Sequence, residues 1–123
     1  MKYFESTGYY GKKMAEFEEL IEKGWLVVDV RISPFSRFQP DFIGKRMAAN
    51  LGEGYLHIPE WGNPRRKEGV LAIADFSAGL SKALATRAQK ILLLCACKYP
   101  EKCHRSLLVK LLQAAGYEAK ESD

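Results

Sequence analysis

The chain has 123 residues, 47% of them apolar and 28% charged, with a net charge of +4 and a pI near 9.0. That length fits a single domain over 1–123 whose core folds without disulfide or metal staples, and the mild positive charge permits an anionic partner without by itself arguing for a nucleic-acid protein. No apolar run approaches the roughly 20 residues that cross a bilayer, so no membrane role is expected.

In chain order, "KKMAEFEELIEKG" sets Met14, Phe17, Leu20 and Ile21 on one face at helical spacing and stops at Gly24. "WLVVDVR" reads as a mostly buried strand broken only by Asp29. "ISPFSRFQP" is too rich in turn residues for regular structure, and a short helix is expected from Pro40 to about Leu51. "GYLHIP" reads as a strand that leads into the basic loop "EWGNPRRKEG". The pattern from about Val70 to Gln89 is helical, with Gly79 as a weak point. "KILLLC" is a short continuous apolar run, the signature of a strand covered on both faces. "RSLLVKLLQAAG" places Leu107, Leu108, Leu111, Leu112 and Ala115 on one side of a helix ended by Gly116. Strands alternating with helices predict an α/β three-layer sandwich with a mostly parallel sheet of about four to five strands. Ligands of such folds bind beyond the carboxyl ends of the strands, where Arg31, His57 and Cys95 fall.

The richest chemistry lies in "ILLLCACKYPEKCHRS". Three cysteines, an odd number within nine positions, and no basic-then-apolar opening point to a reduced, cytoplasmic protein rather than a secreted disulfide scaffold. Cys95, Cys97, Cys103 and His104 offer zinc donors, but one, five and no intervening residues are poor spacing for one tetrahedron, so neither metal nor cofactor is expected. Thiol chemistry has more support. Cys103 at a helix start, beside His104 and Arg105, has the surroundings of a reactive thiolate, whereas Cys95 can simply be core. The phosphatase and rhodanese loop, with Arg four or five residues after Cys, is absent: Arg105 follows Cys95 by ten positions and Cys103 by two.

An anion site uses most features together. Helix-start amides and Arg105 supply donors, with Arg31 and Arg37 approaching from the neighbouring strand end and Asp29 as a counterion. The competing reading has Arg105 in a structural bridge to Asp29 or Glu60. His57 on a strand reads first as a hydrogen-bonded core or edge residue, and His104 is the better acid–base candidate. Trp61 is either a stacking surface for a base or sugar, or part of the core.

"STGYYG" and a helix, "VVDVR" followed by "SPFSR", "YLHIPEWG", "LLCACKYPEKCHRS" and a final "AAGYE" together resemble the domain-of-unknown-function 488 family. The resemblance implies a small α/β domain with polar residues gathered at one end of the sheet, and it carries over Asp29, Arg31, Arg37, Cys95, Cys103, His104 and Arg105. This chain departs from the family's Gly-His-Ser turn, with Tyr9 and Tyr10 after Gly8, and has Cys97 where a polar or acidic residue is common. The expected function is binding of a phosphorylated or other anionic ligand, a nucleotide or a nucleic-acid end, with an anionic small molecule or nucleic acid as the possible partner. Asp29, Arg31, Arg37, Cys95 and Arg105 are the ligand residues, with Cys103 and His104 available for catalysis. The alternatives are a non-catalytic nucleic-acid or protein interaction module and a thiol enzyme.

Overall fold

The computed structural model describes residues 2–122; Met1 and Asp123, the ends of the single-domain expectation, lie outside the described residues. Five strands, β1 (Tyr3–Gly8), β2 (Trp25–Asp29), β3 (Tyr55–His57), β4 (Lys90–Cys95) and β5 (Glu118–Glu121), form one all-parallel sheet in the order β3-β2-β4-β1-β5. Helices α1 (Met14–Glu22) and α2 (Gly44–Leu51) cover one face, and α3 (Phe76–Leu84) and α4 (His104–Ala114) the other. The expected α/β sandwich is therefore the observed one. Connections stepping toward β3 carry α1 and α2, and those stepping back toward β5 carry α3 and α4. A single crossover hand requires this division.

β4 is the middle strand and is buried over Ile91–Cys95, which is why its sequence is continuously apolar. Its alternate side chains feed two cores. Ile91, Leu93 and Cys95 pack with Val28, Trp61, Leu108 and Leu112, while Leu92 and Leu94 pack with Val27, Phe17, Phe42 and Met47. The last helix ends as its glycine predicts: Gly116 has φ +94°, its amide donates to the Gln113 carbonyl, and the Tyr117 amide donates back to Leu112.

Three features differ from the sequence reading. β1 and β5 were not legible as strands, since "YFESTG" buries Ser6 and Thr7, and "EAKE" buries only Ala119. Pairing with β4 and β1 makes them strands, not their own patterning. The helix expected over 70–89 is shorter: the Ala74 and Asp75 amides donate to the Gly62 and Glu60 carbonyls, and Asp75 caps α3 through the Ala78 amide at 3.0 Å. Residues 40–51 form a 3-10 turn at Pro40–Phe42 before α2, interrupted by extended backbone at Ile43.

Gly79 does not break α3. It faces Trp61, which is fully buried, donates from Nε1 to the Phe76 carbonyl at 3.0 Å, and stacks near Phe76. Trp61 thus belongs to the core and offers no stacking surface to a ligand. A Cβ at Gly79 would land inside the Trp61 indole. Gly79→Ala is therefore expected to destabilise the fold by about 1–3 kcal/mol through overpacking, against the ~1 kcal/mol gain that helix propensity alone would give. Urea denaturation reads the sign directly.

Candidate functional site

The carboxyl ends of the strands carry two polar assemblies, one on each face of the sheet. On the α1/α2 face Asp29, fully buried, holds Arg31 side-on, with Nε to Oδ1 at 2.8 Å and Nη2 to Oδ2 at 2.6 Å. Tyr55 donates its hydroxyl to Oδ2 at 2.6 Å, and Arg31 Nη2 also donates to the Phe42 carbonyl at 2.7 Å. The Arg31 guanidinium lies 5.1 Å from the centre of the Tyr9 ring, which stacks on Phe42. Burial alone would lower the Arg31 pKa, but the hydrogen bonds and charge of Asp29 override it and the net shift is upward. Burial, then the Asp29 charge, pushes the Tyr55 phenol up. The ring of His57 meets the Arg31 carbonyl at 2.5 Å, a structural role in keeping with its place on β3.

On the α3/α4 face, Cys95 ends β4, while Cys103 and His104 open α4. Cys103 is extended, with φ −122° and ψ 143°, and His104 is the first helical residue. That junction turns two consecutive side chains toward one point. His104 Nδ1 lies 3.9 Å from Cys95 Sγ and 3.7 Å from Cys103 Sγ, and Nε2 lies 2.8 Å from the Val30 carbonyl oxygen. A carbonyl can only accept, so Nε2 carries a proton and Nδ1 faces the sulfurs. All three residues are buried, and their donor atoms lie within 4.8 Å of one another. The spacing argument against convergence therefore fails, because adjacent residues at a helix boundary do meet here.

The thiols are not equivalent. Hydrogen bonds from Cys103 and Cys97, and then the bond and charge of His104, hold the Cys95 thiol well below its usual range despite burial. The Cys103 thiol is pushed up by its bonds to Cys95 and Cys97 and by burial. His104 is lowered by burial but raised more by Cys95, and ends above its usual value. The downward shift thus falls on Cys95 and not on Cys103, the thiol that helix position favours. For Cys97, the bond to Cys103 lowers the pKa but is outweighed by the bond to Cys95 and by burial, for a net rise.

These residues floor a cleft of about 470 Å³ whose rim carries Arg66, Lys67 and Lys102. Those three cations are exposed and make no ion pair among the described residues. Neither Arg66 nor Lys67 was singled out as a ligand residue by sequence; the basic run after β3 was the available signal. Arg31 reaches the cleft wall with its guanidinium committed to Asp29, and Arg37 is exposed and does not line the cleft.

Arg105 is turned away from this cleft. Its Nε donates to Glu121 Oε1 and Nη1 to the Cys97 carbonyl, at 2.7 and 2.6 Å, and Ser6 donates to the same Glu121 oxygen at 2.8 Å. Neither Asp29 nor Glu60 is its partner. Asp29 pairs with Arg31, and Glu60 with Lys82. Gly8 makes room for this contact, since a Cβ there would fall on the Cys97 carbonyl and 2.6 Å from Arg105 Nη1. Arg105 therefore pins the loop after β4 to β5.

The model of the family described as "Domain of unknown function DUF488" matches residues 13–112. The chain belongs to that family. The matched span contains Asp29, Arg31, Cys95, Cys103, His104 and Arg105, and leaves β1 and β5 outside it. Comparison with curated proteins and with solved structures returns no match.

Two stability orderings follow from the polar assemblies. Arg31→Met leaves a fully buried carboxylate without its cation and is expected to cost about 3–5 kcal/mol, whereas Tyr55→Phe removes one bond to that carboxylate and costs about 1.5–3 kcal/mol. Arg105→Met is expected to cost on the order of 2–3 kcal/mol, less than Arg31→Met because the Glu121 side chain is 25% exposed whereas Asp29 is fully buried. Chemical denaturation of the three variants checks the order; equal losses would contradict it.

Proposed function

We propose that the cleft binds a phosphorylated or similarly anionic small molecule. In this reading Arg66, Lys67 and Lys102 hold the charge, and Cys95, Cys103 and His104 present the reactive floor. The observation that carries it is the convergence of three cations without carboxylate partners, among the described residues, on a cleft that also holds a buried thiol–imidazole cluster. Cations lining one concave site focus its field and favour anions. The Arg66 charge also acts at His104, so rim and floor share one electrostatic environment. The expected ligand role passes from Arg31 and Arg105, whose guanidinium groups have carboxylate partners, to the rim. Arg31 instead shapes the cleft wall and Arg105 its loop. A small molecule suits a cleft of about 470 Å³ better than a nucleic-acid strand, which needs an extended basic track. Free thiols at Cys95, Cys97 and Cys103 fit a reducing, cytoplasmic setting.

Inorganic phosphate and a nucleoside monophosphate, titrated at two salt concentrations, test the proposal. Arg66→Ala, Lys67→Ala and Lys102→Ala are each expected to weaken binding by roughly 3- to 10-fold, with the effect shrinking at high salt. All three sites are exposed, so thermal stability should hardly change. An unmodified protein that binds neither probe at low salt, or a triple variant that binds as well as the parent, would overturn the proposal.

A further inference from the structure

We propose that Cys95, Cys103 and His104 form a three-ligand site for a thiophilic, tetrahedral divalent ion of the zinc class, with its fourth position open to the cleft. The metal set stands on its own geometry, and rests on the anion reading only for what fills the open position.

The geometry fits the ion. Metal–sulfur bonds of about 2.3 Å and metal–nitrogen bonds of about 2.0–2.1 Å, at a tetrahedral angle, require S···N edges of about 3.6 Å. The two S···N edges are 3.9 and 3.7 Å, within tenths of an ångström of that value, and the two sulfurs lie within 4.8 Å of each other, against an S···S edge of about 3.8 Å in such a tetrahedron. The imidazole is already set for coordination, because Nε2–H on the Val30 carbonyl leaves Nδ1 to face both sulfurs. A ring nitrogen bound to a backbone carbonyl in this way is the usual outer support of a metal-binding histidine. Two sulfurs and an imidazole, buried together, would also gain a counter-charge, since a dication displaces the thiol protons and neutralises the two thiolates.

Cys97 neighbours both other thiols and lines the same cleft, but it lies outside the set whose donor atoms are all within 4.8 Å of one another, so the three-ligand set leaves a fourth position. Three protein ligands with one position facing a cavity is the arrangement of sites that exchange a ligand, whereas a closed four-ligand site only holds structure. An anionic oxygen drawn in by Arg66, Lys67 and Lys102 would meet the ion there. Zinc and cobalt(II) suit a sulfur-and-imidazole donor set, and magnesium and calcium do not.

Cobalt(II) titration of chelator-treated, reduced protein is the test, read by visible d–d bands and near-ultraviolet sulfur-to-cobalt absorption, with zinc affinity from competition against a chromophoric chelator. One equivalent with intense tetrahedral bands is expected. Cys95→Ser, Cys103→Ser and His104→Gln should each weaken binding by roughly 100-fold or more, one ligand's share of such a site. Cys97→Ser should keep the cobalt spectrum and change affinity by less than roughly 3-fold, as expected of a non-ligand. Added phosphate should shift the d–d bands of the cobalt form. Absence of tetrahedral cobalt bands in the unsubstituted protein overturns the site, whether or not the variants fold. Loss of the spectrum in Cys97→Ser overturns the open position. Phosphate binding without metal uptake would leave the anion cleft standing and remove this inference; metal uptake without phosphate or nucleotide binding would do the reverse.

Discussion

A carboxylate with no access to water must be matched, and the match between Asp29 and Arg31 organises the carboxyl edge of this sheet. Arg31 is held side-on by Asp29, and the intervening Val30 carbonyl is left pointing to His104 while the Arg31 carbonyl meets His57. The pair therefore does more than neutralise a charge in the α1/α2 core. It brackets Val30, whose carbonyl meets the imidazole on the opposite face and whose amide donates to the Leu94 carbonyl. Tyr55 and the Phe42 carbonyl complete its hydrogen bonding, so the segments around β3 and before α2 are tied to the same point. A buried ion pair of this kind adds little net stability over apolar packing, but removing either half is costly.

Arg105 does a parallel task on the other side. By bonding Glu121 and the Cys97 carbonyl it joins the loop after β4 to β5, and Gly8 permits the close approach. The arginines near the thiols thus divide by burial. Arg31 and Arg105 are buried and committed to carboxylates, while Arg66, with Lys67 and Lys102, lines the cleft without a carboxylate partner among the described residues. Desolvation explains the division, because a guanidinium out of water needs a full set of acceptors and a solvated one does not.

Much of the architecture was legible in local patterning. The periodicity of α1 and α4, the continuous run in β4 and the glycines at 24 and 116 all appear where the residues indicate. Asp29 within an apolar strand announced a buried partner, and Arg31 at the next same-face position was within reach. The third helix was overread because Ala74 and Asp75 spend their amides on the loop after β3, a long-range choice that apolar spacing does not record.

By itself, then, the sequence determined the alternation of strands and helices, the edge of the sheet where chemistry gathers, and the identity of its thiols and imidazole. Those follow from side-chain period and residue type, which act over a few positions along the chain. Only the tertiary structure decided that β1 and β5 are strands and that Glu121 is the partner of Arg105. It also decided that Cys103 and His104 meet Cys95, and that the rim cations are Arg66, Lys67 and Lys102. Each of these depends on register between segments far apart in sequence, where the burial of a charge or thiol selects its partner from groups that the fold alone brings within a few ångströms.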